Sequence, residues 1–79
     1  MPYITHEAKN EVAFVGPKTA GELNYLLTKT VLEYLGKKPN YQLFNDALGA
    51  LEGCKLELYR RKVAPYEDIK IEQNGDVYR

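Results

Sequence analysis

Cysteine, histidine and tryptophan are almost missing from this 79-residue sequence, which holds one, one and none of them. Cys54 alone closes no disulfide within the chain. His6 and Cys54 together fall short of the four-ligand sets that structural zinc requires, so neither a metal nor any other cofactor is expected. Charge of either sign is also not in excess, because 11 Lys and Arg face 11 Asp and Glu. A protein living on phosphate contacts carries a basic excess or stripe, so long-duplex nucleic acid is not an expected partner. No apolar run approaches the roughly 20 residues that cross a bilayer. The opening Met1 to Glu7 lacks a charged segment followed by an apolar one. A membrane is therefore not expected as a partner, and one unpaired cysteine fits a reducing, cytoplasmic location.

What is present is a chain long enough for a single domain, residues 1–79. Domains this short bury only about 60% of the surface their unfolded chain exposes, so they are marginal as monomers. Disulfides and metals usually staple such chains, and association serves where both are lacking. A homo-oligomer is the expectation. Tyrosine usage agrees with it: seven Tyr stand against two Phe, and tyrosine is enriched at interfaces and binding sites.

Along the chain, residues 1–18 read as an extended arm and a short helix over about 6–14, capped by Thr5 and broken by Gly16-Pro17. Residues 19–64 read as a helical hairpin. Its first helix, about 20–35, opens on a Thr19-to-Glu22 capping box and places Leu23, Leu26, Leu27, Val31, Tyr34 and Leu35 at helical spacing. Gly36 stands just past its end. The second helix starts at the cap Asn40 and runs to about 63, where Pro65 is expected to stop it. Its expected buried stripe is Phe44, Ala47, Leu48, Leu51, Cys54 and Leu58. Gly49 and Gly53 cost about 1 kcal/mol each against alanine. Close approach of another helix, from this chain or a partner protomer, would offset that; simple tolerance is the alternative. In the tail, 65–79, Ile69 and Ile71 alternate with Lys70 and Glu72, and Asn74-Gly75 suits a type I′ turn, which predicts a β-hairpin over about 69–79. The fold class is thus mainly α, and α+β by strict reading.

Two constellations could carry a ligand. Tyr59, Arg60, Arg61 and Lys62 end the long helix, with Tyr66, Glu67 and Asp68 following directly. The helix dipole alone favours cations there. Consecutive arginines beside tyrosines also suit a nucleotide, with phosphate on Arg60 and Arg61, bases on Tyr59 and Tyr66, and base edges on Glu67 or Asp68. An internal ion-pair network with those acids fits the same residues. The second constellation is Asn24 and Tyr25, with Thr28 four residues after Asn24; it suits base-edge contacts or plain solvation. No nucleophile-and-base set and no Gly-rich phosphate loop is present. Adjacent Glu67 and Asp68 lack the spacing of an acid–base pair, so no enzyme activity is expected.

The run Gly21-Glu-Leu-Asn-Tyr25 and the block from Cys54 through Ala64-Pro-Tyr-Glu-Asp to Asn74-Gly-Asp-Val-Tyr78 resemble a domain-of-unknown-function family. Its members are short proteins of tailed phages and bacteria. The opening Met-Pro-Tyr-Ile is similar too, while residues 8–15 match least well. That context implies the host cytoplasm for a phage-encoded chain and an anti-defence role of the anti-CBASS or anti-Thoeris type. Such a protein would be a homo-oligomeric sponge for a nucleotide second messenger, a cyclic di- or trinucleotide. The alternative is a protein–protein interaction module that inhibits a host protein; a third reading is single-strand nucleic-acid binding.

Overall fold

Side chains at helix starts and glycines at helix ends set the boundaries in the computed structural model, which describes residues 1–78. Helix α1 spans His6–Val15, α2 Ala20–Leu35, α3 Tyr41–Leu58 and α4 Ala64–Asn74. A π-helical turn, Tyr59–Val63, joins α3 directly to α4. The Thr5 hydroxyl accepts from the Ala8 N–H at 3.1 Å, and Thr19 does the same for Glu22 at 3.1 Å. The Glu22 carboxylate accepts from the Lys18 N–H at 3.0 Å, one residue before the expected box partner. Asn40 caps α3 by accepting from the Leu43 N–H at 2.9 Å. Each cap supplies an acceptor to a first-turn N–H that has no partner within the helix.

The expected C-terminal β-hairpin does not form, and the chain is helical throughout, with no strand among the described residues. Residues 64–74 are α4 instead. Gly75 adopts φ +91°, and its N–H donates to the Ile71 carbonyl at 2.8 Å. The left-handed freedom that suits a type I′ turn also suits the residue just past a helix, and here it ends one. Pro65 likewise does not stop the helix. A π turn shifts the ladder to partners five residues back, as in the Ala64 N–H to Tyr59 carbonyl bond. Placed just before Pro65, that turn accommodates a residue with no N–H whose ring crowds the carbonyl four residues back.

The expected hairpin of two long helices is also overturned: α2 has α1 as its packing partner and is not paired with α3. The chain divides into two units, residues 1–47 and residues from 48 onward. In the first unit α1 lies on α2, and the arm of residues 1–4 runs over the start of α2. At Gly21 a Cβ would stand 3.3 Å from the Ile4 Cγ2, so glycine permits that approach. In the second unit the π turn and α4 lie together.

Buried hydrophobic residues are Val12, 3% exposed, and Ala47, 7% exposed. The stripe expected to be buried on α3 is otherwise in solvent: Phe44, Leu48, Leu51 and Leu58 are exposed, and so is Cys54. Apolar periodicity marks the face that needs cover; it does not say that the same chain supplies it. Gly49 and Gly53 agree, since a Cβ at either would meet nothing within 4 Å. The same-chain helix expected against them is not there.

Candidate functional site

The π turn carries four of the residues singled out by sequence, Tyr59 to Lys62, and α4 carries Tyr66, Glu67 and Asp68. Because the helix continues past Pro65, α4 follows the π turn with no loop between. Tyr59 can then donate its hydroxyl to the Glu67 carboxylate, eight residues on. That bond is the main reason the Tyr59 phenol is pushed above its ordinary value. The Glu67 charge comes next, then slight desolvation and the charges of Asp68 and Tyr78. All of these favour the neutral phenol over a phenolate.

The arginines do not reach Glu67 or Asp68. Both turn back to Glu57, at the spacing of one helical turn. Arg60 Nη2 lies 2.7 Å from Glu57 Oε1 and 3.1 Å from Oε2, with its Nε 3.0 Å from Oε1. Arg61 Nε lies 3.2 Å from Oε2. The internal network considered for these arginines therefore exists, but with a different acid. Glu57 was legible at three and four residues before the arginines, a spacing that pairs charges on any helix. All three side chains are more than half exposed, so the pairs contribute at most about 1 kcal/mol. One carboxylate serving two guanidinium groups leaves a positive excess at this end of the helix.

Tyr66 is engaged from α4 itself, with the Lys70 ammonium 5.5 Å from its ring centroid. Lys70 was a further member that helical spacing could have revealed, had the segment not been read as a strand. A shallow groove of about 450 Å³ lies beside these groups, lined by Tyr59, Glu67, Lys70, Ile71, Asp76 and Tyr78. The Asp76 carboxylate accepts from the Tyr78 N–H at 2.8 Å and shapes its rim.

Asn24 and Tyr25 have their contacts within the first unit. Thr28 donates to the Asn24 carbonyl oxygen at 3.1 Å. Tyr25 is half-buried, with the Lys9 ammonium 5.7 Å from its ring centroid. The eight residues chosen from sequence thus fall into separate local clusters: Tyr59 with Glu67, the arginines with Glu57, Tyr66 with Lys70, and Asn24 and Tyr25 in the first unit. Among the described residues no three His, Cys, Asp or Glu side chains group to hold a metal ion. No helix among them is long and apolar enough to cross a membrane.

A family model described as Domain of unknown function (DUF6899) matches residues 1–77. No curated protein and no solved structure matches the chain.

Proposed function

The chain belongs to the family described as Domain of unknown function (DUF6899), and from that premise we propose that it is a non-enzymatic interaction module that works as a homo-oligomer. The observation that carries this reading is the exposed apolar stripe of α3, Phe44, Leu48, Leu51 and Leu58. Four large apolar side chains at helical spacing on one helix form the kind of surface that a partner helix covers. Leaving a Leu in water rather than burying it forgoes about 1.5–3 kcal/mol. Cys54 lies between Leu51 and Leu58 in the same stripe and is exposed, which extends the small-and-apolar surface. The test is sedimentation velocity of the purified chain at micromolar concentration. A dimer or larger species is expected; a monomer at every concentration sinks the reading.

A second reading keeps the nucleotide role: sequestration of a cyclic di- or trinucleotide by a phage anti-defence protein. It is supported by the positive excess of Arg60 and Arg61 on the single carboxylate of Glu57, with Tyr59 and Tyr66 close in sequence. Two features weigh against it. Tyr59 is already committed to Glu67, and the adjoining groove is shallow, with two carboxylates in its lining. Calorimetry against a panel of cyclic oligonucleotides separates the readings, since the interaction module takes up none of them.

A further inference from the structure

The α1–α2 unit contains a cleft that belongs to neither reading above. It has a volume of about 530 Å³, within the roughly 300–1,000 Å³ typical of small-molecule sites. Its construction follows from sequence spacing. Tyr25, Lys29 and Leu32 recur at intervals of four and three along α2, so they share one face. Helix α1 packs on α2 and brings Lys9 to that face. The arm of residues 1–4 closes the third side with Tyr3 and Ile4, and Gly21 lets the arm lie close.

The lining is chemically selective. Two lysines and no carboxylate line the cleft, in a chain whose charges otherwise balance. Neither Lys9 nor Lys29 forms an ion pair among the described residues, whereas Lys18, Lys55, Arg60 and Arg61 each do. Ile4 and Leu32 add apolar surface, and Tyr3 and Tyr25 add aromatic surface. Lysine is a compact charge suited to phosphate or carboxylate oxygens, and a tyrosine face takes a planar ring.

The geometry points to this cleft as a binding site for a small aromatic anion: a planar ring bearing a phosphate or carboxylate, of mononucleotide size. The ring lies among Tyr3, Tyr25 and Leu32, and the anionic group lies with Lys9 and Lys29. The site is complete within residues 1–47 and does not depend on the association reading.

Amide chemical-shift mapping of the full chain tests it, with adenosine 5′-monophosphate as the phosphate probe and salicylate as the carboxylate probe. Adenosine and inorganic phosphate separate ring from charge. Saturable shifts centred on Ile4, Lys9, Tyr25 and Lys29 are expected with at least one anionic aromatic probe. Adenosine or phosphate alone should bind at least about fivefold more weakly, the weight of one half-exposed charged contact. Lys29→Ala should weaken binding by a similar factor with helicity unchanged, and Lys29→Arg should restore it. Gly21→Ala, which pushes on Ile4, should weaken binding without removing any charge. Absence of saturable shifts in this cleft with both aromatic anions overturns the proposal. Equal binding by adenosine, or affinity indifferent to Lys29→Ala, does so too.

Discussion

Tyr59 and Glu67 were each legible in the sequence as polar groups near the end of the long helix, but not as each other's partner. Reading Pro65 as a stop put a loop between them, and the π turn removes that loop. The bond has a titration consequence. The phenol is raised above its ordinary value near 10 by its donation to Glu67, so the folded chain holds this proton more tightly than the unfolded chain does. Any stability contributed is therefore fully present below pH about 10, and it is lost as pH rises through the higher folded value. The difference in near-ultraviolet phenolate absorbance between the natural chain and Tyr59→Phe should report a group titrating above the ordinary value. Glu67→Gln should bring it back down, because the charged acceptor is gone; an unchanged midpoint would refute the assigned cause. The arginine pair teaches a related lesson. Its sign and position were plain from sequence, yet its partner, Glu57, sits before the cluster, on the helix, and not in the acidic corner after it.

At the scale of elements, the first three helices were legible because capping residues and glycines bracket strong apolar periods. The fourth was not, because three ambiguous signals pointed the same way. Ile69 and Ile71 alternate over too short a run to separate strand from helix. Pro65 is tolerated in a first helical turn as well as after a last one. Asn74-Gly75 is both a turn signal and a helix end. Glycine substitutions separate these roles. Gly75→Ala places a Cβ at φ +91° and should destabilise the second unit by about 1–2 kcal/mol, the left-handed penalty of an L-residue. Gly49→Ala and Gly53→Ala enter a helix with open space around them. In the isolated chain each should stabilise α3 by about 1 kcal/mol. Thermal melting checks the signs. If Gly49→Ala or Gly53→Ala instead lowers the melting temperature and weakens self-association, a partner's backbone lies against that position in the oligomer.

At the scale of the whole molecule, the sequence carried the expectation of an oligomer through size and the lack of staples, and burial makes it quantitative. Unfolded, a chain of 9.1 kDa exposes about 13,000 Å². The folded chain still exposes 7026 Å², so just under half is covered, where a domain of this size covers about 60%. The shortfall is roughly 1,700 Å², which falls within the range that obligate interfaces bury per partner, about 1,000–2,500 Å². Folding and association should then be one process. Each tenfold dilution should lower the apparent stability of a dimer by about 1.4 kcal/mol, moving the melting temperature down by several degrees. Leu51→Asp, a charge placed in the middle of the exposed α3 stripe, should weaken self-association by about 10–100-fold, the loss expected from undoing one buried leucine. The same substitution in a chain that melts at a concentration-independent temperature would be nearly neutral, because Leu51 is already 38% exposed in a single copy. The two measurements therefore stand or fall together. A melting temperature that tracks concentration and is depressed by Leu51→Asp makes α3 the contact; one that ignores both leaves the stripe without a partner copy.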